Sequence, residues 1–141
     1  MTIINKIIDG KMHAEKLLEE IRPLSKGFLD NFNRKPCLTV ILVGDNPASK
    51  IYVKNKILIA KKIDIESREI LLGSDVTEDE LTHHISVLNK DQNVDGILVQ
   101  LPLPKHISEK KIINIISPLK DVDGFHPKNF GKLFMGDPKF I

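Results

Sequence analysis

The strongest constraint on the fold is a run of six almost uninterrupted apolar residues, Leu38-Thr39-Val40-Ile41-Leu42-Val43, which ends at a glycine. Shorter runs of the same kind occur at residues 70–72 and 97–101. Continuous rather than alternating apolarity is typical of strands that are covered on both faces, as in parallel sheets. The three runs therefore predict three buried strands.

Segments with a helical spacing of apolar residues lie between and after these runs, at residues 47–62, 77–90 and 108–116. The segments at residues 47–62 and 77–90 begin with residues that are typical of helix N-terminal caps. Thr77 with Glu80 three residues later forms a capping box, and Asn46 precedes a proline at the first helical position. Because helix and strand alternate, the sequence predicts an α/β fold with three layers around a mainly parallel sheet.

Another helical pattern covers residues 12–32 and offers Leu17, Leu18, Ile21 and Leu24 for packing. Pro23 lies inside this pattern. Since proline lacks the N–H that an α-helix needs and its ring crowds the preceding turn, we expect Pro23 to kink or divide the helix.

The size and charge of the chain narrow the classes of protein it can belong to. With 141 residues, we expect residues 1–141 to form one domain, either alone or as part of a larger protein. The 21 basic and 19 acidic residues nearly balance, at a net charge of +2. This balance disfavours a nucleic-acid partner.

The cellular compartment is predicted from two further features. Cys37 is the only cysteine, so no intramolecular disulfide is possible, and a single thiol is more typical of a reducing compartment. The first nine residues lack the pattern of a signal peptide, and no apolar stretch is long enough to span a membrane. We therefore expect a cytoplasmic protein with no membrane partner.

The segment after the first strand contains a lysine in an unusual position. Advancing about 100° per residue from Ser49 places Lys50, Lys54 and Lys61 on one stripe, as on an ordinary solvated helix face. Lys56 falls instead on the other side of Ser49, next to Tyr52. The segment begins beyond the carboxyl end of a strand, where open α/β sheets usually carry their sites.

Two explanations of Lys56 remain open at this point. In a partly dry cleft an ammonium group is less well hydrated and gives up its proton more readily, which would make Lys56 a general acid or base. Alternatively, its stem covers apolar neighbours and its ammonium group stays in water. The Tyr52-x-x-x-Lys56 spacing also occurs in short-chain dehydrogenases, but these need a glycine-rich turn, and Gly44-Asp45-Asn46-Pro47 is not one.

Polar side chains also follow the third predicted strand. Gln100 ends the apolar run and is followed by Leu101-Pro102-Leu103-Pro104, so its amide either faces the cleft or bonds to nearby backbone. Farther on, Asp121 and Asp123 flank Val122 just before Gly124, a combination that is mostly a turn signal.

The sequence offers no convincing metal or phosphate site. A calcium loop around Asp121 would need further ligands and a closing glutamate. His83 and His84 are neighbours on a predicted helix and point about 100° apart, which suits joint metal binding poorly. Neither a P-loop nor a Gly-x-Gly-x-x-Gly motif occurs. We expect no metal and no cofactor-binding residue in this chain.

Three motifs together resemble the signatures of one enzyme family and occur in that family's order. They are the segment from Val43-Gly44-Asp45-Asn46-Pro47 to Lys56, the segment Gly96-Ile97-Leu98-Val99-Gln100-Leu101-Pro102-Leu103-Pro104, and the segment Lys120-Asp121-Val122-Asp123-Gly124-Phe125-His126-Pro127. The family is the bifunctional methylenetetrahydrofolate dehydrogenase/methenyltetrahydrofolate cyclohydrolase. The resemblance runs from about Asp9 to the last residues.

This resemblance implies an activity and a site. The family oxidises 5,10-methylenetetrahydrofolate with NADP and hydrolyses the resulting methenyl compound to 10-formyltetrahydrofolate in one folate cleft. The resemblance implies that Lys56 activates water and moves protons, that Tyr52 stacks on the folate ring and orients Lys56, and that Gln100 bonds to the lysine. Asp123 would bind the pterin edge, and Ser49 matches a family position in the same cleft.

The chain departs from the family in its length. Family members continue into a Rossmann-type NADP domain, which is absent from this chain, and we expect the whole protein to be a homodimer like the family. The first interpretation is therefore the N-terminal catalytic, folate-binding domain, ending before the NADP domain. A non-catalytic remnant that at most binds folate is the alternative, and a short-chain dehydrogenase fragment is disfavoured by the missing glycine turn.

Overall fold

The computed structural model describes residues 8–138, which form five helices and three strands. Residues 1–7, on which part of the signal-peptide expectation depends, and residues 139–141 at the end of the family resemblance lie outside the described residues. In chain order the elements are α1 (Gly10–Phe32), β1 (Cys37–Val43), α2 (Pro47–Lys62), β2 (Glu66–Leu72), α3 (Glu78–Lys90), β3 (Gly96–Val99), α4 (Glu109–Ile115) and α5 (Pro127–Phe134).

The three strands form one parallel sheet in the order β2-β1-β3. From β1 the chain moves to one side to form β2, and then crosses to the other side to form β3. Since crossover connections are right-handed, these opposite moves put α2 and α3 on opposite faces of the sheet. The predicted three-layer α/β fold with a parallel sheet is confirmed.

Two clusters of buried side chains lie on the two faces of β1 and β3. On one face, residues of both strands such as Ile41 and Ile97 pack with Ile85 of α3 and Ile112 of α4, all at most 1% exposed. On the other face, Val40, Leu42 and Leu98 pack against Val53 of α2. Burying each such side chain stabilises the fold by about 1.5–3 kcal/mol. The prediction that strands are covered on both faces is confirmed for β1 and β3.

The same prediction is wrong for β2. All of its residues are exposed or half-buried, and the Leu71 side chain is 65% exposed. The strand lies at the edge of the sheet and begins with the charged residues Glu66 and Arg68, which the short apolar run at 70–72 did not include. An edge strand has a neighbour on one side only, so less of its surface is covered.

Helix α1 also differs from the expectation. It is one helix from Gly10 to Phe32 with Pro23 inside it, so Pro23 does not divide it. Because proline has no N–H, the Glu19 carbonyl has no hydrogen-bond donor at position 23. Both Glu19 and Pro23 are exposed, so water can reach this carbonyl. Of the leucines offered for packing, Leu17 and Leu24 are 55% and 71% exposed, whereas Leu18 is half-buried, as is Ile21.

Candidate functional site

Helix α2 begins as its sequence predicts. The Asn46 side chain accepts a hydrogen bond from the Ser49 amide at 3.1 Å, and Pro47 occupies the first turn. This cap fixes the start of the helix directly after β1, and therefore fixes which side chains face the sheet.

The faces of α2 separate Lys56 from the other lysines. Ser49, Val53 and Ala60 form the buried face of the helix, while Lys50 and Lys54 are exposed. Lys56 borders the buried face and is half-buried. The helical-wheel prediction that Lys56 lies off the solvated stripe is confirmed.

The Lys56 side chain ends at Gln100. Lys56 Nζ donates a hydrogen bond to Gln100 Oε1 at 3.2 Å, and Gln100 Nε2 donates to the Leu101 carbonyl at 2.7 Å. The Gln100 backbone N–H continues the sheet ladder by donating to the Ile41 carbonyl at 2.9 Å. Both alternatives that the sequence left open for Gln100 therefore hold. Its Nε2 bonds to nearby backbone, and its Oε1 faces the lysine.

The topology explains why these two residues meet. After β1 the chain enters α2 on one face of the sheet, and after β3 it leads to α4 on the other face. Adjacent parallel strands whose connections leave to opposite faces open a crevice at their carboxyl ends, where α/β proteins bind ligands. Lys56 approaches this crevice from α2, and Gln100 lies directly at the end of β3, which stops at Val99 rather than at residue 101.

Asp123 lies on the loop that precedes α5, within electrostatic reach of Lys56. Partial burial raises the pKa of the Asp123 carboxyl above its usual range, the Lys56 charge opposes this rise, and the Asp121 charge adds to it. One side of Asp123 remains open to solvent. The Asp123 carboxyl is therefore partly desolvated and still accessible from solvent.

Tyr52 and Ser49 lie on α2 at one and two turns before Lys56. The Tyr52 side chain is 62% exposed, so its ring is available to a ligand, and Ser49 is 3% exposed beneath the first turn. Among residues 8–138, no carboxylate oxygen lies within 4.0 Å of Lys56 Nζ. The partner that the structure gives this amine is a neutral amide.

Two features near the site were missed by sequence reasoning. Helix α5 was not predicted because it is short and has no buried residue. Asp121 was seen only as part of a turn, yet it is 7% exposed and accepts two hydrogen bonds, one of them from the Asn129 side chain. The DVDG pattern carried no signal that its first carboxylate faces inward.

A depression of about 610 Å³ between α1 and the α2–β2 connection is lined by residues such as Arg22, Lys35 and Asp64 and does not include Lys56. Within residues 8–138, no three side chains of His, Cys, Asp or Glu are grouped so that they could hold a metal ion. No helix in that range is long and apolar enough to cross a membrane.

Comparison with known proteins gives a consistent result. The family described as tetrahydrofolate dehydrogenase/cyclohydrolase, catalytic domain, matches residues 8–123. The bifunctional protein FolD of Halothermothrix orenii is 52% identical over 133 residues, which are 94% of this chain and 47% of that protein. The chain thus spans about half the length of the curated relatives it matches.

Solved structures agree with this match. The bifunctional FolD methylenetetrahydrofolate dehydrogenase/cyclohydrolase from Campylobacter jejuni superposes with a TM-score of 0.89 at 45% identity, covering 94% of this chain and 47% of that one. The Trypanosoma brucei enzyme, solved with NADP cofactor and inhibitor, gives 0.89 at 29% identity, covering 96% and 46%. By sequence and by fold, this chain belongs to the tetrahydrofolate dehydrogenase/cyclohydrolase family.

Proposed function

We propose that this chain is the folate-binding catalytic domain of a bifunctional enzyme that oxidises 5,10-methylenetetrahydrofolate and hydrolyses the methenyl product to 10-formyltetrahydrofolate. The observation that supports this most directly is the hydrogen bond from Lys56 Nζ to Gln100 Oε1, in a crevice that Asp123 also borders. It combines a proton-transfer group, a neutral partner for it and a polar anchor for the substrate.

In the proposed hydrolysis, the substrate is a cation at its one-carbon bridge. A water molecule attacks that carbon, its oxygen forms the new bond, and the Lys56 amine accepts the proton that the water loses. The lysine then returns a proton to the ring nitrogen as the carbon–nitrogen bond breaks. The hydroxyl group on the carbon loses its remaining proton to solvent, which leaves a formyl group on the other nitrogen. A neutral amide beside Lys56 suits this reaction, since a carboxylate would hold the lysine in its charged form.

Binding of the folate is assigned to the remaining residues. The exposed Tyr52 ring offers a flat surface on which the pterin can stack, one turn away from Lys56. Asp123 provides a carboxyl that can accept hydrogen bonds from the pterin edge. Ser49, buried at the start of the same helix, supports the wall of the cleft.

The described residues do not fit the phosphates of NADP. Dinucleotides place their pyrophosphate on a glycine-rich turn at the amino end of a helix. Here the start of α2 is capped by Asn46 and flanked by Asp45, and the first turn of α3 contains three acidic residues. We therefore assign no cofactor residue to this chain and derive no hydride-transfer step from it.

We also propose that the whole protein is a homodimer, which rests on the family resemblance, and that it is cytoplasmic, which rests on the single cysteine Cys37. The second candidate function, a remnant that binds folate without turnover, is favoured by one observation, the open position of Tyr52 and Asp123 at the surface.

The test is the loss of methenyltetrahydrofolate absorbance in the presence of the purified chain, without nucleotide, together with a folate-binding titration. We expect the chain to bind the substrate and to accelerate its hydrolysis over buffer. Binding without acceleration would support the remnant. A chain that circular dichroism shows to be folded, and that neither binds nor accelerates hydrolysis, would contradict the proposal.

A further inference from the structure

The loop that carries Asp123 is anchored on both sides. Before it, the Lys120 carbonyl accepts a hydrogen bond from the Ile97 amide of β3 at 2.7 Å, and Asp121 forms a parallel bridge with Ile97. Lys120 Nζ donates to the Leu88 and Asp91 carbonyls at 2.8 and 2.7 Å, which fixes the segment to the end of α3. The chain therefore enters the loop from a rigid position against the sheet.

Asp121 connects this entry point to the far end of the loop. Its Oδ2 accepts hydrogen bonds from the His126 amide at 2.9 Å and from Asn129 Nδ2 at 3.0 Å. Asn129 Nδ2 also donates to the Pro118 carbonyl at 2.8 Å. A single buried carboxylate thus closes the loop around Asp123 and holds the first turn of α5.

The loop has little room to move beneath this closure. Gly124 has a positive φ of 68°, which permits the turn back toward α5. The cavity under the loop, lined by residues that include Asp121, Asp123 and Phe125, measures only about 10 Å³. Val122 packs closely against Gly96: a Cβ atom added to Gly96 would lie 2.5 Å from Cγ1 of Val122. Displacing Asp121 would therefore displace Asp123.

We propose that Asp121 is a positioning residue that, through its bonds to His126 and Asn129, holds the Asp123 carboxyl in place opposite Lys56. The proposal rests on the proposed function, because it assigns to Asp121 the placement of the group that binds the pterin. Two charged groups act on Asp123, Lys56 from α2 and Asp121 from its own loop. Asp121 thus acts on Asp123 in two ways, by geometry and by charge.

Two substitutions separate these effects. Asp121→Asn keeps an acceptor oxygen for the His126 amide but removes the charge, so the Asp123 carboxyl should titrate at a lower pH. Asp121→Ala removes the closure, and we expect it to weaken folate binding about 10-fold or more, as the loss of a positioned polar contact does. The matched control is Asp95→Asn, at the other end of β3, where a carboxylate binds Arg34 and the Cys37 amide and does not border the crevice.

The titration of Asp123 is followed by side-chain carbon NMR in the full chain, with its signal assigned by its loss in Asp123→Asn. We expect the midpoint to fall in Asp121→Asn and to stay unchanged in Asp95→Asn. Folate binding by Asp121→Ala as tight as by the original chain would overturn the positioning by hydrogen bonds. An equal midpoint in the original chain and in Asp121→Asn, or an equal shift in Asp95→Asn, would overturn the effect of the Asp121 charge. If the original chain binds no folate, the proposed function fails, whereas the NMR midpoints still decide the role of Asp121.

Discussion

At the scale of single residues, the proposed chemistry depends on the groups that lie next to Lys56. A lysine on a helix surface normally extends into water, as the exposed Lys50 and Lys54 do on the same helix. Lys56 instead reaches a neutral amide that is itself tied to backbone on its other side. The side chain is thus oriented without being paired to a carboxylate, which is the arrangement that a proton-transfer group needs.

The choice of an amide at position 100 leads to a prediction. Gln100→Glu places a carboxylate 3.2 Å from Lys56 Nζ with almost no change in shape. Because the carboxylate stabilises the ammonium form, we expect methenyltetrahydrofolate hydrolysis to fall about 10-fold or more at neutral pH. The rising limb of the pH–rate profile, along which the general base loses its proton, should move to higher pH. Gln100→Met, which removes the hydrogen bond without adding charge, is the control, and an unchanged profile in Gln100→Glu would show that Gln100 does not influence the lysine.

The sequence located Lys56 and Gln100 for different reasons. The wheel position of Lys56 is a property of α2 alone, so local periodicity was sufficient to predict it. Contact between Lys56 and Gln100 depends on how β1 and β3 are placed side by side, and the resemblance to a family supplied it rather than any pattern. The inward orientation of Asp121 depends on Asn129, on a helix that was not predicted.

At the scale of elements, β3 and the segment Lys120–Asp121 form a single support for the site. Gln100 follows the end of β3, and Asp123 follows the residues bonded along its outer side. The close approach of Val122 to Gly96 is what brings this outer segment near enough to bond. Glycine at the first position of β3 is therefore required by packing.

This close approach predicts the effect of Gly96→Ala. The added Cβ would collide with Val122, so we expect a loss of about 1–3 kcal/mol in the free energy of unfolding. The hydrolysis rate should fall by more than the larger unfolded fraction explains, because a displaced Val122 also displaces its neighbour Asp123. Gly27→Ala is the control: it lies in α1 with open space around it, and we expect a gain of about 0.5–1 kcal/mol and unchanged hydrolysis. Urea unfolding and the hydrolysis rate measure both effects, and equal stability of the two variants would contradict this account of the loop.

Helices and strands with strong local sequence signals were predicted, and those with weak signals were missed or only partly described. Helix α3 starts with the capping box seen in the sequence, in which the Thr77 and Glu80 side chains bond to each other's backbone. Helix α5 was missed because its eight residues bury no side chain and so show no periodic burial that would predict a helix. Strand β2 was predicted but its exposure was not, since position in the sheet is a tertiary property that an apolar run does not report.

At the scale of the whole molecule, the connection between the first helix and the sheet is mainly polar. Arg34, just after α1, binds Asp95 through two hydrogen bonds of 2.6 and 2.8 Å, and Asp95 also accepts the Cys37 amide at 2.8 Å. The Arg34 side chain stacks on Phe28 of α1, 5.1 Å from the ring centre. This cluster joins α1, β1 and β3 at the end of the sheet opposite the site.

The cluster predicts a pH dependence of stability. The hydrogen bonds from Arg34 lower the pKa of the Asp95 carboxyl below its usual value. A carboxyl with a lowered pKa stabilises the fold above its unfolded pKa, and this contribution is lost as the pH falls through the folded one. We expect Asp95→Asn to cost about 1 kcal/mol at pH 7, since the pair is about a third exposed and partly screened by solvent.

The measurement is urea unfolding of both chains at pH 7 and under acid conditions. The difference between them should begin to shrink below about pH 4, where Asp95 of the unfolded chain takes up a proton, and should vanish once the pH is below the lowered pKa of the folded carboxyl. Asp45→Asn, at an exposed pair with Lys50, serves as the control and should change stability little. A difference for Asp95→Asn that is independent of pH would show that charge does not hold this cluster together.

The central claim, that Lys56 is the proton-transfer group of a folate site, is tested most directly by comparing Lys56→Met with Lys54→Met. Both variants remove one lysine from α2, but only Lys56 contacts Gln100. The measurement is the rate of methenyltetrahydrofolate hydrolysis at saturating substrate, with folate affinity measured alongside. We predict that Lys56→Met loses about 100-fold or more in rate while still binding folate, and that Lys54→Met keeps the original rate. Near-normal hydrolysis by Lys56→Met, or an equal loss in Lys54→Met, would contradict the assignment.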